Sequence, residues 1–461
     1  MKLPFLWINV IFSEAVPFLG KMENKLSQTT ILVLIAGLVV GAGLGYTLAP
    51  KTTTSNGDGD IDTVTVYQNP LAGKTIQIGI VAPGPGSLET EHPLYEQMVT
   101  PAINTYASTL GYDVEFEYLI DQGEYQAAAH LEKVQSFKSM GINLFLGGPF
   151  SSMAQASLSY VNENDMIMVS PMSTSPLLAI ADDNLFRMCP TDFVQAPAIT
   201  EMLETWGIEA IVIFQRGDAW GDGIYNLLEQ EWTSRGHVIL ERVRYAVEAT
   251  EFSNYLQTID DIIAEAQAEY GYERIAVQTM AIDELVVIVS QTSDFEHLRN
   301  VIWMGCEGAG RNTRMVDDAA ETCVDLRIFS STMVPTSSWK WDQFEDEYFE
   351  ITGTNAGFYT GTDVDGSTLL ALNVLETGGT DATVIKDHFI KVARNYFGVT
   401  GWVDLDDNGD RAPGMFEIFG YAMIDGEVGF QKFGEYNGLS LEVTWNEQLI
   451  QAQGIDKPGP R

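Results

Sequence analysis

The sequence predicts an α/β protein of two doubly wound parallel-sheet lobes with a cleft between them, preceded by one transmembrane helix. Three observations predict it. From Thr75 onward short apolar runs alternate with longer amphipathic stretches, and the same rhythm starts again near residue 209. One uncharged stretch near the N-terminus is also long enough to cross a bilayer. The length of 461 residues suits two or three domains, and 45% hydrophobic residues are enough to give each of them a core.

The N-terminal element comes first. No charge falls between Lys25 and Lys51, and the apolar centre runs from Ile31 to Ala49. A helix of that length matches the hydrocarbon thickness of a membrane, whereas the apolar run of a cleaved signal peptide is usually shorter. Residues 30–49 are therefore expected to be a transmembrane anchor, with a signal segment as the alternative. Lys21 and Lys25 precede it, and Asp58, Asp60 and Asp62 follow it. That asymmetry puts residues 1–29 in the cytoplasm and the body outside the cell membrane. Gly37, Gly41 and Gly45 give the span a small-residue stripe of the kind that lets helices pack closely. Residues 1–21 read as an over-extended start, with Met22 opening a cleaner one. Residues 50–74, rich in Thr, Gly and Asp, read as a linker.

Charge narrows the partners of the body. The chain carries 25 Lys and Arg against 64 Asp and Glu, a net charge of −39. Only three of the basic and two of the acidic residues lie in the first 50, so the acidity belongs to the body. Nucleic acid is excluded, because phosphate binding needs a basic footprint. Anionic lipid would be repelled, so membrane association must come from the inserted helix. Three cysteines (Cys189, Cys306, Cys323) are too few for a disulfide scaffold, and the sequence leaves open whether Cys306 and Cys323 form a bridge. The five histidines are scattered, and no HExxH, P-loop or GxSxG motif occurs.

The body reads as strands at 76–83, 114–120, 142–148 and 166–171, then at 209–215, 237–243, 274–279 and 301–305. In such sheets a ligand sits at the carboxyl ends of the strands. Four loops fall there. Gly147-Gly148-Pro149-Phe150-Ser151-Ser152 opens a helix, and its amides and hydroxyls suit a carboxylate. Ser170-Pro171-Met172-Ser173-Thr174-Ser175-Pro176 is a rigid polar turn. Arg216 to Gly223 places Trp220 in a glycine-flexible loop, where it packs over a ligand or plugs the core. Cys306-Glu307-Gly308 sets a carboxylate at a strand end.

With the tract Asp182 to Asp192, Gln195 and the tail Phe397 to Arg411, these loops resemble the type I periplasmic binding proteins of branched-chain amino acid ABC transporters. The resemblance runs from about Thr75 to about Trp445, nearly the whole body. It implies two lobes joined by three strands and closing on a ligand, one of 75–193 plus 330–400, the other of 194–329 plus 401–445, with 446–461 as a tail. It further implies that Ser151, Ser152, Ser173 and Thr174 hold a ligand carboxylate and that Glu307 holds its ammonium. Many members have a tyrosine where this chain has Trp220, which bears on the size and polarity of the pocket. Asp365 and the calcium-loop-like Asp404 to Asp410 read as structural, since Met415 stands where a bidentate glutamate would be needed.

The expected function is an extracellular receptor that passes an amino acid or related amide to an ABC transporter permease, with no reaction catalysed, no cofactor and no metal. The alternative is a sensor of the same fold, which would normally carry a second span and an output domain. Residues 446–461 read as a polar tail and supply neither.

Overall fold

The computed structural model describes residues 69–460 apart from Arg311, together with short paired strands at Lys51–Thr52 and Val66–Tyr67. The expected cytoplasmic segment 1–29, the expected anchor 30–49 and most of the linker lie outside the described residues. Among the described residues no helix is long and apolar enough to cross a membrane.

The first sheet contains β1 (Lys74–Ala82), β2 (Val114–Gln122), β3 (Leu144–Leu146), β4 (Ile167–Ser170) and β5 (Leu185–Pro190). They pair in parallel in the order β2-β1-β3-β4-β5. Period-two alternation feeds two cores. Leu144, Leu146, Ile167 and Val169 face one cluster, and Phe145 and Met168 face the other. Helices must therefore cover both faces, as the unbroken apolar runs imply.

The second sheet repeats this winding. Strands β6 (Ala210–Arg216), β7 (Val238–Tyr245), β8 (Ile275–Met280), β9 (Ile302–Gly305) and β10 (Ile328–Met333) lie in the order β7-β6-β8-β9-β10. The short strand β11 (Asp410–Arg411) returns to the first sheet beside β5. Then β12 (Met415–Ile424), β13 (Glu427–Asn437) and β14 (Glu442–Trp445) extend the second sheet antiparallel from β10.

The chain thus passes between lobes three times, after β5, after β10 and after β11. The last passage, at residues 412–414, comes later than expected. Phe397 to Arg411 stays with the first lobe, because Val399, Val403 and Leu405 belong to its core. Conversely, all of β10 pairs in the second sheet, although 330–333 was expected in the first lobe. Long-range strand pairing decides both boundaries, and no local pattern encodes it.

One buried ion pair fixes the third passage. Arg187 on β5 is fully buried and grips Asp410 with both arms, Nε to Oδ1 at 2.5 Å and Nη2 to Oδ2 at 2.7 Å. The calcium-like loop is accordingly a structural turn. Asp410 is committed to Arg187, and Asp406 Oδ1 accepts the amides of Asn408 and Asp410 at 2.8 and 3.0 Å. Asp365 is structural too, accepting the amides of Val399 and Thr400 at 2.7 and 3.1 Å. All three cysteines are free and buried. Cys306 and Cys323 belong to separate core clusters of the second lobe, so the bridge left open by the sequence is not formed.

Removing one partner of a buried pair strands the other charge. Asp410→Asn should therefore cost about 3–5 kcal/mol of stability. A denaturant titration of the full chain checks this, and an unchanged midpoint would show that Arg187 is satisfied without Asp410.

Candidate functional site

Both sheets have the strand order 2-1-3-4-5, whose crevice opens where the winding direction switches. In the first lobe that point lies between β1 and β3, and in the second between β6 and β8. The two crevices face each other, and the loops singled out in the sequence line them.

On the first lobe, Gly148 has φ 63°, and a Cβ there would sit 2.8 Å from Ala154 Cβ, so the turn requires glycine. It delivers the helix Ser151–Glu163, whose opening amides have no acceptor within the helix. Ser151 is buried, and its Oγ accepts the amide of Ser175 at 3.1 Å. Ser152, the next residue, is half-buried at the same helix start. Ser173 and Thr174 are buried in the neighbouring turn.

On the second lobe the tract after β6 becomes a helix from its third residue, Ala219–Ser234, rather than a flexible loop. Asp218 caps it, Oδ1 accepting the amides of Trp220 and Gly221 at 3.1 and 2.9 Å. Trp220 is 5% exposed and packs into the second-lobe core. It plugs that core, one of the two roles expected of it. A Cβ on Gly308 would lie 2.7 Å from the Trp220 ring, which accounts for glycine after Glu307.

Glu307 is the centre of the arrangement. Its amide donates to Gln195 Oε1 at 2.9 Å, and its Oε1 receives the Thr174 hydroxyl at 3.4 Å, across the cleft. Its Oε2 is buried without a partner. Beside it stands Asp192, fully buried, with Oδ1 taking Gln195 Nε2 at 2.7 Å and Oδ2 again without a partner. Burial pushes the Glu307 carboxyl up to about 7. Burial, then the Glu307 charge, holds Asp192 well above the usual carboxylate range. Two neighbouring carboxylates each keep one buried oxygen without a partner. Such a pair needs a proton or a cation.

Ser151, Ser173, Thr174, Trp220 and Glu307 are thus brought together by the facing loops, with Ser152 at their edge. The sequence reading quoted Asp192 and Gln195 only as motif residues and missed their place beside Glu307. Their signal was an acid directly after Pro190-Thr191, where β5 ends. Among the described residues no group of three or more His, Cys, Asp or Glu side chains is placed to hold a metal.

The lobes touch beside this site. Ser175 Oγ donates to Ala219 O at 2.9 Å, and a Cβ on Gly223 would lie 2.8 Å from both Pro176 and Ser175 Oγ. Gly223→Ala should hold the lobes apart and weaken ligand binding by about tenfold, or 1.4 kcal/mol. Calorimetry with small-angle scattering checks it, and unchanged affinity and radius would mean that the contact does not limit closure.

Residues 99–423 match the family described as the receptor family ligand binding region, and the chain belongs to that family. An uncharacterized protein of Methanocaldococcus jannaschii is 25% identical over 435 residues, covering 90% of this chain and 98% of its own. A leucine-binding protein of Thermotoga maritima superposes with a TM-score of 0.64 at 17% identity, over 81% of this chain and 99% of its own. An ABC transporter substrate-binding protein of Desulfitobacterium hafniense in complex with Leu gives 0.58 at 19% identity, over 77% of this chain and 100% of its own. A branched-chain amino acid transporter substrate-binding protein of Streptococcus pneumoniae in complex with isoleucine gives 0.61 at 17%, over 78% and 99%. These likenesses establish the two-lobed type I periplasmic binding fold.

Proposed function

We propose that this member of the receptor ligand-binding family is a non-catalytic solute receptor that captures a small amino acid or amino-bearing amide between its lobes and passes it to an ABC transporter permease. One observation carries the reading. Glu307 and Asp192 present two unpartnered buried carboxylate oxygens in the crevice, which is the environment a desolvated ammonium needs. The opening amides of the helix Ser151–Glu163 and the Ser151 hydroxyl stand on the opposite lobe and suit a carboxylate. A zwitterion matches both ends. Leucine and isoleucine, held by two of the similar structures, head the list of ligands to try.

The body is further proposed to sit outside the cell, tethered by residues 30–49. The support is the length of the uncharged stretch and the lysines before it. External protease should remove the body from intact cells, and full protection would end that part of the proposal.

Glu307→Gln keeps the shape of the site and removes the charge. Affinity for the best amino acid found by calorimetry should fall at least about tenfold, equivalent to 1.4 kcal/mol. Equal affinity would remove the ammonium assignment. The pH dependence has a definite sign. The empty pair is held above the usual carboxylate range, so it retains a proton near neutrality, and an incoming ammonium must displace it. Affinity should therefore rise with pH through about 7, with proton release on binding. Titrations in two buffers of different ionisation enthalpy check this, and binding that takes up a proton would contradict it.

A further inference from the structure

The two serine turns of the first lobe are joined beneath the cleft by a buried chain of hydrogen bonds whose proton directions can be assigned. Gly148 N–H donates to His130 Nε2 at 2.7 Å. That nitrogen is an acceptor and carries no proton, so the ring is the Nδ1–H tautomer and Nδ1 donates to Ser157 Oγ, also at 2.7 Å. On the other side Gly148 O accepts the single hydroxyl proton of Ser170 at 2.8 Å. Ser170 Oγ then has only acceptor capacity left, which it spends on the Ser173 amide at 3.1 Å and the Ser173 hydroxyl at 2.6 Å. His130, Ser157, Ser170 and Ser173 are all fully buried.

We propose that His130 is a positioning residue which, through Gly148 and Ser170, locks the Gly147–Ser152 and Ser170–Ser175 turns into one register, and that the Ser173 hydroxyl is consumed by this lock and does not donate to a ligand. The proposal rests on reading the turns as the carboxylate receptor and refines it. The donors left for a carboxylate are the Ser151 and Ser152 hydroxyls and the opening amides of the helix Ser151–Glu163. Burial holds the His130 ring down at about 3, which keeps Nε2 available as an acceptor at working pH. Protonation of Nε2 would set two N–H groups against each other at Gly148. The second strap between the turns, Ser175 N to Ser151 Oγ at 3.1 Å, depends on the same register.

The test is hydrogen–deuterium exchange read by mass spectrometry on the full chain without ligand, comparing wild type with His130→Phe and His130→Gln. Phe keeps the ring volume and leaves the Gly148 amide without an acceptor. Gln can return a carbonyl oxygen to the place of Nε2. Exchange at Gly148–Ser152 and Ser173–Ser175 should quicken at least about tenfold in the Phe variant, stay unchanged in β6, β8 and β9, and return toward wild type in the Gln variant. Unchanged exchange at the two turns, an equal rise throughout the first lobe, or failure of Gln to rescue would each overturn the proposal. If the Phe variant does not fold, Ser157→Ala removes only the acceptor of Nδ1–H. Its exchange must then quicken at both turns, and no change there would overturn the proposal equally. The readout needs no ligand, so it is separable from the carboxylate reading, whose own failure would appear as unaltered amino acid affinity in Ser151→Ala. Ser173→Ala should likewise quicken exchange at both turns, and Ser173→Ala exchanging like wild type would show that its hydroxyl is not part of the lock.

Discussion

The Arg187 guanidinium is the constraint on which the rest of the molecule depends. It is fully buried, and a buried guanidinium must have its donors met within the protein. Asp410 meets two of them, and the carbonyl oxygens of Ser175 and Ser173 meet Nη1 at 2.7 and 3.3 Å. One side chain therefore ties the returning strand β11 to β5 and pulls the Ser170–Ser175 turn against the sheet. Arg411, the next residue, repeats the pattern in miniature, donating to Met188 O and Thr400 Oγ1, both at 2.8 Å. The first-lobe half of the site is thus built on charges that cannot be left alone.

The second half of the site obeys the same rule from the opposite sign. Glu307 and Asp192 lie where desolvation is most costly, and the polar groups around them satisfy one oxygen of each and no more. Gln195 serves both, giving its Nε2 to Asp192 and taking the Glu307 amide on Oε1. That fixes the relative orientation of the carboxylates without neutralising them. Trp220 packs into the second-lobe core with its ring against Gly308, the residue after Glu307.

The sheet strands were legible because buried parallel strands are apolar runs, and β1, β6 and β9 fall where those runs lie, while the edge strand β2 shows the alternation of a half-exposed strand. Strand β5 was hidden inside a motif, because Arg187 interrupts its apolar character for a reason that lies 223 residues away at Asp410. Passage boundaries failed for the same cause, since pairing between β11 and β5 leaves no local trace. Within the site, Glu307 and the serines stood out through glycine-rich turns at strand ends. Asp192 did not, because its importance comes from Glu307, which a distant strand brings beside it. Ser173 was found, but the direction of its hydroxyl proton follows only from counting donors along a chain of contacts.

The three cysteines have a practical consequence. Each is sealed in a core with no exposed surface, and burial drives every thiol pKa upward, Cys323 to about 12, so almost no thiolate exists to react. The native chain is accordingly silent toward maleimides and other thiol-directed labels while folded. A pair of cysteines engineered on the outer faces of the two lobes would be the sole reactive sites. Distances between fluorophores attached there could then follow the opening of the cleft in single molecules, with no native cysteine to remove first.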